Sequence, residues 1–360
     1  TTPVTWVAGY EYDISKETRQ GGVAALGEKT TTTRNEDNQA SNSDLFVQAT
    51  ALVSEKISIV GGLRYSSVRF KSSDNFLKDG DGSGSTSYKA TNPVLGLTYH
   101  ANDSLNLYAN YGRGFESPTL AEVAYKGAAT PAFNTSINAS KSKHYEIGAK
   151  WLPNATSRLD MTLFQINSTD EIVVASNTGG NSTFKNAPGT KRTGWELSGN
   201  TLLMPNLRAT LAASQTNARF SQAFATGSNN IDAGNKIPGI PQSFVFSELL
   251  WTSKAMSDSA ANRNIASKIG AQAGVELTHA GRLYANDTNT ATADGYNTLA
   301  LKASYGWAIG SGVLTASARV DNATDKRYIG SVIVNQAASQ FYEPAPGRNW
   351  TVGLRFVMPL

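Results

Sequence analysis

The sequence predicts an all-β chain: an antiparallel up-and-down transmembrane β-barrel with about fourteen strands visible. Three observations carry this. Apolar and polar residues alternate with period two from end to end, while helical periodicity is almost absent. Many alternating segments run ten residues or more, longer than the five or six usual in soluble sheets and close to the 9–11 that a tilted strand needs to cross a bilayer. The connections alternate between short and long, as in a barrel with tight turns at one mouth and loops at the other.

Taken in order, the predicted strands are 4–13, 44–52, 56–70, 93–100, 104–113, 143–152, 157–165, 193–202, 207–217, 244–252, 268–277, 297–308, 313–321 and 349–356. In 143–152, Tyr145, Ile147, Ala149 and Trp151 share one face, with His144, Glu146, Gly148 and Lys150 opposite. In 268–277, Ile269, Ala271, Ala273, Val275 and Leu277 oppose Lys268, Gln272 and Glu276; in 349–356, Trp350, Val352, Leu354 and Phe356 oppose Asn349, Thr351 and Arg355. Short connections are expected at 54–56, 101–104, 153–157, 205–206 and 310–312, and an intermediate one at 253–266. Long loops are expected at 71–87, 114–142, 168–189, 218–241, 280–295 and 323–346.

Aromatic positions sort by strand end. Trp6, Tyr99, Trp151, Trp251 and Trp307 lie near the short turns, and Tyr65, Tyr111, Tyr145, Trp195 and Trp350 toward the long loops, all on the apolar register. Two such belts are expected where a sheet crosses a membrane. The opposite register carries Arg64, Asn110, His144, Glu146, Lys150, Arg158, Asp160, Glu196, Lys302, Arg319, Asp321 and Arg355. That many charges suit a wide wet or plugged lumen, since a dry core would leave them unsolvated.

Composition narrows the function. Cys is absent, which excludes disulfides and thiolate metal sites. The net charge is +4 with no block of like charge, which argues against a nucleic-acid partner. No apolar run approaches the length of a membrane-spanning helix. The opening TTPVTWVAGYEYD shows neither a signal-peptide pattern nor a starter methionine, so the chain reads as processed or as a piece of a longer one. DGDGSG at 79–84 begins like a calcium loop, but Ala90 stands where the bidentate glutamate is required. His100, His144 and His279 fall on separate strands without ligand spacing, and no catalytic motif is present. Neither an enzyme nor a cofactor is expected.

LYANYGRGFESPTLAEVAY (107–125) resembles the strand-and-loop signature of TonB-dependent outer-membrane receptors. Further resemblances follow in family order: YEIGAKW (145–151), LFQINSTDEIV (163–173), FKNAPGTKRTGWELSG (184–199), GNKIPGIPQSF (234–244), DNATDKRYIGS (321–331) and PAPGRNWTVGLRF (344–356). In the fourth, Asn186, Gly194 and Glu196 keep the family spacing, but Pro188 replaces a glycine; the chain also ends on Leu360 rather than an aromatic residue. The resemblance implies a barrel of about 22 strands with an N-terminal plug. Against that pattern, residues 1–360 read as the C-terminal portion of the barrel, with the plug and first strands not included.

The implied function is energised uptake of a scarce bulky nutrient, a ferric siderophore by family habit, across the outer membrane of a Gram-negative bacterium. The implied partners are outer-membrane lipid, a ferric siderophore or similar chelate, and the TonB energy-transducing protein through a missing N-terminal region. A passive porin-type channel and a soluble β-rich adhesion or carbohydrate-binding module remain as alternatives. Candidate ligand contacts are the aromatic and basic residues of the long-loop end: Arg113, Phe115, Tyr125, Lys126, Phe184, Lys185, Arg192 and Tyr342. Arg113 falls on the outward register and Arg192 on the luminal one. Because unpaired backbone groups are costly in lipid, the first and last strands are expected to pair with each other.

Overall fold

The computed structural model describes residues 3–124, 133–178, 181–226, 229–254, 256 and 269–358. In chain order the strands are β1 (Val4–Ala25), β2 (Glu28–Ser54), β3 (Ile57–Asp74), β4 (Gly84–Asn102), β5 (Leu105–Glu116), β6 (Ser140–Asn154), β7 (Ser157–Thr178), β8 (Asn181–Met204), β9 (Leu207–Phe220), β10 (Phe224–Thr226), β11 (Asn229–Ile231), β12 (Ser243–Thr252), β13 (Gly270–Ala280), β14 (Leu283–Tyr284), β15 (Thr292–Ala293), β16 (Tyr296–Ile309), β17 (Gly312–Asp321), β18 (Ile329–Val332), β19 (Tyr342–Pro344) and β20 (Asn349–Val357). Fourteen of them form one antiparallel meander, β1 through β9 followed by β12, β13, β16, β17 and β20. The pairs β10–β11, β14–β15 and β18–β19 are small hairpins within the long loops.

The apolar register forms one continuous face. Across successive ladders Leu97 lies opposite Ala109, Ala109 opposite Ile147, Ile147 opposite Leu163, and Leu163 opposite Trp195. A second row runs from Leu249 through Val275 and Leu301 to Val320 and Trp350. These side chains remain open to the surroundings: Ile147 is 56% exposed and Val352 is 83% exposed. An apolar face this extended is a lipid-facing band. Leu107, Ala109, Tyr111, Trp151 and Leu354 belong to it as well.

The other face is ion-paired across strands. Lys302 Nζ lies 2.7 Å from carboxylate oxygens of both Glu248 and Glu276, and Arg319 lies 2.7 Å from Glu276 and from Asp321. Arg158 pairs with Asp160 at 2.6 Å, and Arg64 bridges Glu11 and Asp44 at 2.6 and 2.5 Å. The pairs lie within one strand, across one ladder, or between strands two apart, so these charges on the inner side of the sheet are compensated by close neighbours.

Strand pairing reaches further than the sequence alternation does. Residues 14–43, to which the sequence assigns no element, complete one long hairpin of β1 and β2 that turns at Leu26-Gly27. Both turn residues have positive φ, 53° and 86°, the geometry of a tight turn matched to the strand twist, where glycine is the easy choice and Leu26 the strained one. Likewise 168–189, expected as a loop, is paired β7–β8 hairpin out to Thr178 and Asn181. Both extensions are polar, so the alternation that marks a lipid-facing strand is missing from them.

The first and last strands do not pair. β1 and β20 are the two edges of the sheet, and no ladder joins them. Each strand is held by its sequence neighbours, and among the described residues the ladders run from β1 to β20 without a closing pair. The intermediate connection expected at 253–266 falls largely outside the described residues.

Candidate ligand site at the long-loop end

Above the apolar band the loops lock into one layer. Its apolar centre is Ala187, Ala218, Phe220, Ile231 and Ile237, with Val173, Phe224 and Ile240 packed against it. Asparagines tie the loops together. Asn186 Nδ2 donates to Asn138 O at 2.9 Å and to Asp170 O at 2.7 Å, while its Oδ1 accepts from Asn138 N–H at 2.8 Å. Asn289 and Lys236 exchange two hydrogen bonds, at 2.6 and 2.8 Å. Asn335 Nδ2 donates to Val174 O at 2.8 Å and to Asp287 Oδ2 at 3.1 Å, and its Oδ1 accepts from Asp287 N–H at 3.0 Å. Asparagine serves here because one side chain offers a donor and an acceptor to backbones that have left their ladders.

Within this layer lies a polar cavity of about 160 Å³ walled by Thr226, Asn286, Asp287, Asn335, Gln336 and Phe341, among others. Asp287 is 3% exposed. Its Oδ1, together with Thr226 Oγ1 and Gln336 Oε1 from the cavity wall, has no hydrogen-bond partner, and neither does the nearby Lys185 Nζ. Lys185 Nζ sits 4.4 Å from the centre of the Phe224 ring. Burial pushes the Asp287 carboxyl up, and Asn335 and Lys185 pull it back only in part. Burial lowers Lys185 in turn, opposed by the Asp287 charge. Buried unpaired groups of this kind cost roughly 1–3 kcal/mol each, so the pocket is primed for a polar group that would satisfy them.

On the β7–β8 hairpin, Arg192 pairs with Glu171 through both guanidinium ends, and Thr190 Oγ1 donates to the same carboxylate at 2.8 Å. Simple alternation along β7 would not put Glu171 on the side of Ser168 and Arg192. The φ of +55° at Asp170 flips it there, where the ladder skips the Asp170–Pro188 step. Burial raises the Glu171 pKa, but Arg192, Thr190 and Ser168 outweigh it and hold the group below its ordinary 4.5. Glu116 is pushed up, by burial first and then by the charges of Glu171 and Glu122.

The residues expected to meet ligand therefore divide. Lys185 is not part of the cavity wall but lies close enough to Asp287 for their charges to interact, Arg192 sits in the ion pair with Glu171, and Phe184 is half-buried next to Lys185. Tyr342 is on β19, 44% exposed, with its ring 6.1 Å from that of Phe341. Arg113 and Phe115 continue the outward register of Tyr111, away from the lumen. Tyr125 and Lys126 lie outside the described residues. Asp287, Asn335 and Gln336 were not anticipated; each sits in an Asn/Thr/Gln-rich loop whose composition gives no local signal, and only the junction of three loops makes them a site.

The family model described as TonB dependent receptor-like, beta-barrel matches residues 2–323. The chain belongs to the TonB-dependent receptor β-barrel family. That family consists of outer-membrane transporters of Gram-negative bacteria, not of enzymes. Solved structures agree on the fold. The ferric yersiniabactin uptake receptor of Yersinia pestis is 18% identical with a TM-score of 0.71, covering 98% of this chain and 51% of its own. The ferric preacinetobactin receptor of Acinetobacter baumannii is 17% identical with a TM-score of 0.70, covering 98% of this chain and 51% of its own. A copper transporter is 16% identical with a TM-score of 0.71, covering 96% of this chain and 53% of its own. The chain thus spans about half the length of these receptors. Superposing on half of a larger wall, the sheet carries the curvature of that wall, which accounts for the separated edges.

Proposed function

We propose that this chain forms the C-terminal part of the barrel of a receptor that takes up a scarce, bulky, anionic chelate, a ferric siderophore in the first instance, with energy transduced through TonB. Residues 1–360 would be one continuous barrel segment, with the plug and the remaining strands supplied by other parts of the receptor. The observation that carries the reading is the loop-end cavity, where a carboxylate oxygen, an amide oxygen and a hydroxyl of the wall lack hydrogen-bond partners, with the equally unpartnered Lys185 ammonium in the loops close by and a polar, ion-paired wall on the inner face of the sheet. Lys185 would meet the anionic oxygens of the chelate, and Asp287, Thr226 and Gln336 its hydroxyl or amide donors. Some relatives of this fold are named for ferric chelates and one for copper, so the fold leaves the cargo open.

The test is a binding isotherm on the complete receptor in detergent, with ferric catecholate, ferric hydroxamate and ferric citrate as probes. One charge-assisted contact contributes roughly 1.5–3 kcal/mol, so Lys185→Ala should weaken the best probe by about ten-fold or more. Heat-modifiable gel mobility would confirm that the barrel is intact. Unchanged affinity in a folded barrel would remove the cavity from the ligand path.

A further inference from the structure

The unpartnered groups in the wall of the loop-end cavity are all hydrogen-bond acceptors. Four segments of the chain meet there: the end of β7 at Ala175, the β10–β11 hairpin at Thr226, the β14–β15 turn at Asp287, and the loop between β18 and β19 at Gln336. The last segment is tied to the first by an isolated bridge between Asn177 and Gln336 and by the bond from Asn335 to Val174 O. The amides of Asn286 and Asn335 are spent on the loops themselves. Asn286 Nδ2 donates to Thr290 Oγ1 at 2.8 Å, and its Oδ1 accepts from the N–H groups of Thr290 and Ala291. Asn335 Nδ2 donates to Val174 O and to Asp287 Oδ2.

What remains unpartnered in the wall is Asp287 Oδ1, Gln336 Oε1 and Thr226 Oγ1, each buried. An ionised carboxylate and an amide oxygen can only accept, and the hydroxyl accepts through its lone pairs. No lysine or arginine belongs to the wall. An anionic oxygen placed here would therefore meet lone pairs and a like charge, at a cost that burial magnifies.

An ammonium answers this wall group for group. It carries three N–H donors and no acceptor, and its positive charge meets the one carboxylate. Asn335 satisfies only one of the two Asp287 oxygens, and burial pushes that carboxyl up, so a cation against the other oxygen would reverse the imbalance. The size agrees as well: a cavity of about 160 Å³ takes the end of an alkylammonium arm but not the body of a bulky iron chelate. Phe341, 8% exposed, lends the wall an aromatic ring beside the acceptors, a surface suited to methylenes and to a cation.

We infer that the cargo carries a primary ammonium on a flexible arm, and that Asp287, Gln336 and Thr226 receive this arm while the metal-binding body stays outside the cavity. The inference rests on the chelate uptake proposed above and narrows it to guests bearing both signs of charge. Lys185 and Asp287 are opposite in charge and near enough to interact, yet Lys185 Nζ and Asp287 Oδ1 each lack a hydrogen-bond partner. A guest whose anionic oxygens turn to Lys185 and whose ammonium turns to Asp287 compensates both. Ferric citrate, with no cationic arm, leaves Asp287 uncompensated.

The experiment is a set of binding isotherms on the complete receptor in detergent, its barrel checked by heat-modifiable mobility. Two matched pairs of probes serve: ferrioxamine B, a trihydroxamate ending in a primary ammonium, with its N-acetyl derivative, and a ferric tris-catecholate bearing an aminopropyl arm with its N-acetyl derivative. Within whichever pair binds, the ammonium form should bind tighter by about ten-fold or more, the scale of a charge-assisted contact. Asp287→Asn keeps the shape of the side chain and should bring the two members within about two-fold of each other, by weakening the ammonium form alone. Lys185→Ala should weaken both members equally. A role of Asp287 confined to folding the loops would weaken both members as well, and so would leave the preference in place. If Asp287→Asn prevents assembly, Gln336→Met removes one acceptor at similar volume and should cut the preference by about three-fold or more. Equal binding of the two members by the parent receptor, or a preference that survives these substitutions, would overturn the ammonium arm while leaving chelate uptake standing. Binding of none of the four probes would overturn both.

Discussion

Asn335 is where the loop layer can be opened without touching the barrel. Its side chain makes three hydrogen bonds, to Val174 O, to the Asp287 carboxylate and from Asp287 N–H, and its backbone holds a φ of +54°. Two neutral bonds contribute roughly 1 kcal/mol each and the one to a charged group roughly 2, so Asn335→Gly should cost the loop junction about 4 kcal/mol. Asn335→Ala loses the same bonds and adds about 1 kcal/mol for holding an alanine at positive φ. A 4 kcal/mol loss raises the frequency of local opening by about three orders of magnitude. Hydrogen exchange of the complete receptor in detergent reads this directly, through the amides of Asp287 and of Asn335, the latter bonded to Ala285 O at 3.1 Å. Exchange there should accelerate strongly, slightly more in Ala than in Gly, while β13 and β16 keep their protection. An acceleration below ten-fold, or one shared by the barrel strands, would refute the idea that this asparagine holds a separable layer.

Two further outcomes follow from the same geometry. Glu171 is held below 4.5, so its contribution is complete above that pH and drains away as pH falls through the lowered value. Once intrinsic exchange rates are divided out, protection of the β7–β8 ladder around Glu171 and Ala187 should therefore fall on acidification, and Glu171→Gln should flatten that fall; protection that does not change with pH in the parent protein would refute this role for Glu171. Ile147 sits in the middle of the lipid-facing band, opposite Ala109 and Leu163. Ile147→Lys should cost about 2–4 kcal/mol in a urea titration of vesicle-inserted receptor, whereas a lysine at neighbouring Gly148, on the inner face, would test luminal packing instead. A cost below 1 kcal/mol would mean that this face does not meet lipid.

The order of the fourteen strands, their antiparallel pairing and the outward set from Leu107 to Leu354 were legible because lipid imposes a binary rule on every second residue. Tight turns and belts of aromatic residues followed from the same boundary. Where the chain rises out of the bilayer that rule lapses. The outer halves of β1, β2, β7 and β8 are therefore paired strands written in Thr, Asn, Ser and Lys; those of β7 and β8 read as loop, and those of β1 and β2 carry no signal for any element.

The candidate site was legible only in part. Lys185 and Arg192 were marked by residue type, but their partners were not. Glu171 reaches Arg192 because Asp170 reverses the alternation, and Asp287 comes within electrostatic range of Lys185 because two loops about a hundred residues apart cross. Arg113, Lys143, Lys191 and Arg219 show the same division: each looks like a solvated strand end in sequence, and only the ladder register sets Arg113 opposite Lys143 and Lys191 opposite Arg219. The sequence by itself determined which face of each strand meets lipid, since that depends on a residue's own position in the chain. The tertiary structure alone decided which charges become neighbours, because register and loop crossings are set by contacts between segments distant in sequence.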